Sequence, residues 1–235
     1  MSLRIHVVTI FPRMVAGPLA EGIVRRAVDK GLVEIALHDL RDFTDDRHRS
    51  VDDAPFGGGA GMVMMAEPLA LAVGAAKEAQ AAAGLEAGRV IALSPAGRAL
   101  TDARVRTLAS EQKPLILVCG RYEGIDQRFF DACVDEELSI GDFVISGGEL
   151  GAMVLMDAII RQLPGAMKDA SSADESFADG LLDAPQYTRP EVWRDRVVPA
   201  VLISGHHAQI EAWRREQKLA RTRSRRPDLS APVKA

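Results

Sequence analysis

Residues 115–124 read LILVCGRYEG, an apolar run that leads directly into a loop containing two glycines. The same arrangement occurs at residues 89–98 (RVIALSPAGR) and 138–148 (LSIGDFVISGG). Near-continuous Val, Ile and Leu is typical of parallel strands that are covered on both faces. Ligands of open parallel sheets bind beyond the carboxyl ends of the strands, where such loops gather. The three stretches therefore predict a parallel sheet with a ligand site along this edge.

The first 163 residues also alternate apolar runs with patterns of helical period, which is typical of an α/β fold with crossover helices. Residues 168–179 (KDASSADESFAD) are small, acidic and rich in serine, which predicts a flexible linker. The patterns predict further strands at residues 4–11 and 33–40, and helices at residues 22–30, 68–83, 101–111 and 150–163.

Composition excludes several classes of protein. With 47% hydrophobic and 26% charged residues, the chain of 235 residues has ordinary globular usage and room for one large domain with a small appendage. No apolar run approaches the roughly 20 residues that a membrane span needs, and residues 5–11 are too short for a signal peptide. Cys119 and Cys133 have neither a pairing framework nor metal-ligand spacing. We therefore expect a cytoplasmic protein without a metal site, with both cysteines in or near the core.

Charge is distributed unevenly along the chain, whose formal net charge is −4. Residues 186–235 carry 11 basic and 5 acidic side chains, whereas residues 1–185 carry 18 and 28. A basic C-terminal module indicates a polyanionic partner such as nucleic acid. On charge alone, a solvated helical face is an equal alternative.

Two helix starts are predicted in this basic module. Thr188 and Glu191 have the spacing of a capping box. Ser204 can cap a second helix, whose apolar stripe runs through Trp213 and Leu219. The module is therefore expected to be helical.

The sequence lacks the common motifs of nucleotide and metal enzymes: it has no P-loop, H-E-x-x-H or C-x-x-C, and no G-x-G-x-x-G after the first strand. Stacked glycines instead let main-chain groups approach a ligand closely, which suits a nucleoside. Tyr122, in one of the glycine loops, either closes such a pocket or packs as an ordinary structural residue. The run GGGAGM at residues 57–62 follows no predicted strand, and a turn without a ligand is the alternative interpretation.

Six motifs, in this order along nearly the whole chain, resemble the bacterial tRNA (guanine-N1)-methyltransferases of the S-adenosylmethionine-dependent SPOUT class. The stretches CGRYEGID and SIGDFVISGGE are the most specific parts of the resemblance. The six motifs are PFGGGAGM (55–62), LSPAGR (93–98), LVCGRYEGIDQR (117–128), LSIGDFVISGGELGAM (138–153), GLLDAPQYTRPEVW (180–193) and LISGHHAQIEAWRREQ (202–217).

The resemblance implies a domain organisation that composition and periodicity do not reveal. Residues 1–165 would form a SPOUT catalytic domain with a deep trefoil knot, a feature nearly absent from other proteins. Residues 166–180 would be the linker and residues 181–235 a small all-helical domain that binds tRNA. The resemblance also implies a homodimer with active sites at the subunit interface.

By the same resemblance, S-adenosylmethionine would be bound by the three glycine loops, mainly through their backbone. Phe143 stands where many relatives have Tyr, which removes a hydroxyl but keeps a ring to pack against adenosine. Ala60 stands where many have Pro. The expected cofactor-binding residues are Leu93, Ser94, Pro95, Gly97, Gly120, Tyr122, Glu123, Ser139, Ile140, Gly141, Asp142, Phe143, Val144, Ile145, Gly147 and Gly148.

Methylation of guanine N1 requires a base, because N1 carries a proton at neutral pH, and a donor that stabilises negative charge at O6. The resemblance assigns the donor to Arg161 and the base to Glu175, at a position where the family has Asp. Asp174 is the alternative if the linker shifts by one residue. From the residues alone, the preferred interpretation of Arg161 is a cation favoured at a helix C-terminus, and the alternative for the two acidic residues is a solvated linker.

The resemblance places the methylated base just 3′ of the anticodon, at tRNA position 37, and this base must leave its stack to react. Phosphate contacts that set affinity without reading sequence are expected from Arg189, Arg214, Arg215 and Lys218. Two other functions remain open: an RNA-binding module without chemistry, and a SPOUT enzyme that methylates another site, such as a ribose hydroxyl.

Several charged residues near the glycine loops allow two interpretations. Arg121, Asp126 and Arg128 form either a surface cluster or contacts with a partner subunit. Asp142 and Glu149 either neutralise the amino group of the cofactor or cap turns.

Overall fold

The computed structural model describes residues 2–167 and 175–230. The chain divides into two compact units, Met1–Met167 and Lys168–Ala235. The first unit ends close to the predicted boundary at residue 165.

A five-stranded parallel sheet lies at the centre of the first unit, as predicted. Two short strands, β3 (Asp52–Asp53) and β4 (Val63–Met64), form a separate antiparallel pair. The spatial order of the large sheet is β2 (Val33–Asp39), β1 (Leu3–Thr9), β6 (Leu115–Cys119), β5 (Arg89–Ala99) and β7 (Glu136–Ser139).

Helices cover both faces of this sheet because alternate strand residues point to opposite sides. In β6, Leu117 enters one hydrophobic cluster and Val118 the other. Cys119 is buried in the first cluster and Cys133 packs against the second, which confirms the prediction for both thiols. The first face is covered by α1 (Pro12–Leu19), α2 (Gly22–Asp29), α4 (Asp102–Glu111) and α6 (Gly148–Ile160), and the second by α3 (Ala66–Ala82) and α5 (Gln127–Cys133).

Helices α4 and α6 begin in different ways. Helix α4 begins as predicted because the Thr101 hydroxyl accepts a hydrogen bond from the Arg104 amide at 3.3 Å. Helix α6 begins two residues before the predicted start, with Gly148 as its first residue and the acidic Glu149 in its first turn. No helix within residues 2–167 or 175–230 is long and apolar enough to cross a membrane.

The second unit contains a long helix and a short ribbon. Helix α8 (His207–Arg225) confirms the predicted helix, but its N-cap is His206, and the predicted cap Ser204 is instead the C-cap of the preceding helix. The Ser204 hydroxyl accepts a hydrogen bond from the His206 amide at 3.1 Å. It follows the short helix α7 (Ala200–Ile203) and precedes a 3-10 helix at Pro227–Ser230. Strands β8 (Val192–Trp193) and β9 (Arg196–Val197) pair antiparallel.

The prediction of a helix that starts at Thr188 is wrong, and so is the prediction that the C-terminal module is entirely helical. A proline disfavours the helical conformation of the residue before it, here Arg189. The β-branched Val192 and Val197 instead pair across a turn in which Arg194 and Asp195 both have positive φ, 48° and 62°. The capping-box spacing is present, but the residues around it favour a hairpin.

Candidate active site

A cavity of about 450 Å³ lies at the carboxyl ends of β5, β6 and β7, where the three glycine loops meet. Its first wall comes from an irregularity in β5. The register against β7 shifts between Leu93 and Arg98, so that residues 94–97 leave the regular ladder. The Ser94 hydroxyl accepts a hydrogen bond from the Ala96 amide at 2.9 Å, which holds this loop in a tight turn.

The second wall is the loop after β6, which carries Tyr122. This tyrosine has φ of 58°, a left-handed conformation that is costly for a bulky residue and typical of functional sites. The residue lines the cavity and is 48% exposed. Burial and a hydrogen bond to Asp52 raise the pKa of Tyr122, so the phenol is protonated at neutral pH. Of the two interpretations left open by the sequence, the pocket position is the one observed.

The glycine run at residues 57–62 contacts this second loop. Gly57, Gly58, Gly59 and Gly61 all have positive φ, which explains the glycine content of the run. A Cβ added at Gly61 would lie 2.4 Å from the side chain of Glu123, and the Glu123 amide donates a hydrogen bond to the Met62 carbonyl at 2.9 Å. The run is therefore a support for the pocket loop.

The third wall is the loop after β7. The Ser139 hydroxyl donates a hydrogen bond to the Gly141 carbonyl and accepts one from the Gly141 amide, at 3.0 and 3.2 Å. Beyond this turn, Phe143 and Val144 line the cavity with 54% and 83% of their surface exposed. An apolar lining of this kind suits a small organic ligand.

A buried ion pair joins the second and third loops. The Glu149 carboxylate is fully buried, accepts a hydrogen bond from the Thr9 hydroxyl at 2.8 Å, and accepts another from Arg121 Nε at 2.9 Å. Arg121 also donates to the Ser146 carbonyl at 2.9 Å. Glu149 therefore holds the loops together, whereas Asp142 is exposed outside the cavity lining.

The charged trio near the second loop separates into two parts. Asp126 caps α5 by accepting a hydrogen bond from the Arg128 amide at 2.9 Å, and it also pairs with the Arg128 guanidinium. This pairing lowers the pKa of Asp126 to about 2. Arg121 belongs to the ion pair with Glu149 and does not share this cap.

The cavity brings together most of the residues predicted from the sequence, and Gly97 and Asp142 are the two that do not line it. Sequence reasoning missed Ile125, Phe130 and Leu138 as lining residues, because hydrophobic periodicity assigns such side chains to the core. It also missed Arg121, which it treated as part of a surface cluster or a subunit contact. The predicted residues that line the cavity are Leu93, Ser94, Pro95, Gly120, Tyr122, Glu123, Ser139, Ile140, Gly141, Phe143, Val144, Ile145, Gly147 and Gly148.

The predicted catalytic residues lie in different units. Arg161 is the C-cap of α6 in the first unit, where its amide donates to the Asp157 carbonyl at 3.1 Å. Glu175 lies in the second unit and is partly buried. Asp174 falls outside the described residues.

The predicted tRNA-binding residues are not alike in exposure. Arg189, Arg214 and Arg215 are exposed. Lys218 is 8% exposed, and its ammonium lies 3.5 Å from the Asp179 carboxylate. A structural role fits Lys218 better than a direct phosphate contact. Within residues 2–167 and 175–230, no group of three His, Cys, Asp or Glu side chains is arranged to hold a metal ion.

Known proteins with one shared name match this chain over nearly its full length. The tRNA (guanine-N(1)-)-methyltransferase of Aromatoleum aromaticum is 61% identical over 227 residues, covering 96% of this chain and 86% of that protein. The protein of the same name from Herminiimonas arsenicoxydans is 56% identical over 234 residues, covering 99% and 94%. The one from Janthinobacterium sp. is 57% identical over 228 residues, covering 97% and 91%. The sequence model described as tRNA (Guanine-1)-methyltransferase TrmD matches residues 3–232, and the chain therefore belongs to this family.

Proposed function

We propose that the protein transfers a methyl group from S-adenosylmethionine to N1 of the guanine just 3′ of the anticodon, position 37 of tRNA. Family membership supports the reaction class. The observation that carries the proposal is the cavity of about 450 Å³ built from three glycine loops. Its volume lies within the range of about 300–1,000 Å³ usual for small-molecule sites. Because the substrate is tRNA, we expect the reaction to take place in the cytoplasm.

The residues around the cavity fit an adenosine-containing ligand. Gly120, Gly141 and Gly147 line the cavity and have no Cβ, so a ligand can approach their backbone closely. A Cβ at Gly141 would lie 2.4 Å from the ring of Phe143, so the loop admits this ring only because the residue is glycine. We assign binding of the cofactor to the predicted residues that line the cavity. S-adenosylmethionine, when bound, supplies a methyl group on a positively charged sulfur.

The remaining chemistry is assigned to two side chains of the chain itself. The Glu175 carboxylate removes the proton from guanine N1, which frees a lone pair to accept the methyl group. The Arg161 guanidinium donates to O6 and stabilises the negative charge that develops there. Exposed Arg189, Arg214 and Arg215 hold the tRNA by its phosphates.

Two features of the SPOUT class belong to the same proposal. One is a trefoil knot in the first unit, supported by family membership. The other is a homodimer with composite active sites. Leu150 and Val154 lie one turn apart on α6 and are 41% and 49% exposed, and Phe56 is fully exposed. Subunit association would cover apolar side chains on this face of α6, and sedimentation should give twice the chain mass.

Mapping the methylated nucleotide tests the function directly. Purified protein is incubated with S-adenosylmethionine and an unmodified tRNA transcript, and the product is digested and sequenced by mass spectrometry. We expect 1-methylguanosine at the nucleotide 3′ of the anticodon. A methylated ribose, or methylation elsewhere, would overturn the proposal.

A single-turnover assay tests the base. We expect Glu175→Gln to abolish methylation, since the amide cannot accept the proton. Asp174→Asn should retain most of the rate. The opposite pattern would assign the base to Asp174.

A further inference from the structure

Glu175 begins a tightly hydrogen-bonded segment, residues 175–183, which we call the Glu175 turn. The Phe177 amide donates to the Leu181 carbonyl at 2.7 Å, and the Ala178 amide donates to the Glu175 carbonyl at 3.2 Å. The Asp183 amide donates to the Ser176 hydroxyl at 3.0 Å. Although this stretch overlaps the predicted flexible linker, six of its backbone amides, those of residues 177, 178 and 180–183, donate hydrogen bonds.

Helix α8 fastens the Glu175 turn through a buried hydroxyl. Thr222 is fully buried, and its Oγ1 accepts a hydrogen bond from the Leu182 amide at 2.8 Å. The same hydroxyl donates to the Lys218 carbonyl at 2.7 Å. Because this bond consumes the only proton of the hydroxyl, a lone pair is fixed towards the Leu182 amide.

Two further contacts lie one helical turn to either side of Thr222. The Lys218 ammonium lies 3.5 Å from the Asp179 carboxylate, and the Arg226 guanidinium carbon lies 5.8 Å from the centre of the Phe177 ring. Residues 218, 222 and 226 are spaced by four, so they form one stripe along the helix and its C-cap. The whole stripe faces the Glu175 turn.

We propose that Thr222, assisted by Lys218, is a positioning residue for Glu175, an inference that rests on the proposed role of Glu175 as the base. A base must lie within hydrogen-bond reach of the proton it removes, and misplacement by about 1 Å can cost roughly 100-fold in rate. The exposed Arg214 and Arg215 are on the same helix. Helix α8 therefore links the expected phosphate contacts to the position of the base through one rigid element.

The test compares Thr222→Val with two matched variants. Valine keeps the shape of threonine but removes the hydroxyl, whereas Thr222→Ser restores it. Thr107→Val is the control, because the Thr107 hydroxyl donates to the carbonyl four residues earlier, at 2.9 Å, in the same way but on an exposed face of α4. Each variant is measured for its single-turnover rate at saturating tRNA and cofactor, its tRNA dissociation constant, and hydrogen exchange at the Leu182 amide.

We expect Thr222→Val to lower the single-turnover rate 10- to 100-fold, to speed exchange at Leu182, and to leave the tRNA dissociation constant within twofold. Thr222→Ser and Thr107→Val should remain near the wild-type rate. If Thr222→Val does not fold, the same measurements are made on Lys218→Met, which removes the charge that pairs with Asp179, and on Lys218→Arg, which keeps it. Faster exchange at Leu182 with an unchanged rate would overturn the inference, and so would a loss of rate explained entirely by weaker tRNA binding.

Glu175→Gln in the same assay separates the two proposals. A wild-type rate for Glu175→Gln would refute both the assignment of Glu175 as the base and the inference about Thr222. An inactive Glu175→Gln beside a fully active Thr222→Val removes the inference alone.

Discussion

Replacing Gly148 by alanine should open the junction between β6 and α6 and weaken cofactor binding. An added Cβ would lie 2.8 Å from the Cα of Cys119 and 2.9 Å from the amide nitrogen of Gly120. Carbon atoms pack best at about 3.5–4.0 Å, so the two backbone segments must separate by roughly 0.7 Å or more. No side-chain rotation can relieve this, since both contacts are with backbone. The hydrogen bond from the Gly148 amide to the Gly120 carbonyl, now 2.8 Å, would lengthen.

Overpacking of this kind costs about 1–3 kcal/mol, and for a unit of this size each kcal/mol lowers Tm by about 2–4 °C. Calorimetric titration with S-adenosylmethionine should show binding weakened at least about tenfold, which corresponds to about 1.4 kcal/mol, because Gly120 and Gly148 both line the cavity. The matched control is Gly74→Ala in α3, where an added Cβ meets no atom within 4 Å. This control should gain about 0.5–1 kcal/mol of stability and bind normally. Wild-type affinity and Tm in Gly148→Ala would refute the reasoning.

Three further outcomes are expected. Burial, followed by the charges of His38 and Arg4, lowers the pKa of His6 to about 4. The unfolded chain therefore binds more protons than the folded chain between pH 6.5 and pH 4, and the free energy of unfolding should fall by up to about 3 kcal/mol as the pH drops through this window. Urea titrations of the His6→Asn variant should lack this contribution to the pH dependence. Arg121→Met leaves the buried Glu149 carboxylate without its cation and should cost about 3–5 kcal/mol in urea unfolding, so a change below 1 kcal/mol would contradict the role of the pair. Arg214→Gln should weaken tRNA binding and reduce the slope of log K against log salt by about 1, and an unchanged slope would exclude a phosphate contact.

The pocket loops could be located from the sequence because their signals are local. Apolar runs that end in Gly-bearing turns predict both a parallel strand and the edge at which it ends. Capping at Thr101 and the apolar stripe of α8 are local in the same sense. The prediction of a helix from Thr188 was wrong because the three-residue spacing of Thr188 and Glu191 is a weaker signal than the proline and the β-branched residues beside it.

The roles of Glu149, Lys218 and Thr222 could not be predicted. Each depends on a partner far along the chain: Glu149 on Thr9, 140 residues away, and Thr222 on Leu182, 40 residues away. A charged or hydroxyl side chain on a helix is most often solvated, so its sequence neighbours give no sign that it is buried. Only packing of the chain against itself brings these groups together.

The sequence by itself determined the α/β class, the positions of the three glycine loops and, through its motifs, the family. These properties follow from backbone propensity, from hydrophobic period and from residues that lie next to each other. Tertiary structure alone decided that Arg121 and Glu149 join two loops of the cavity, and that a buried threonine of α8 holds the turn bearing Glu175. The physical reason is that burial and hydrogen-bond geometry belong to pairs of distant segments, whereas a sequence pattern records only one segment at a time.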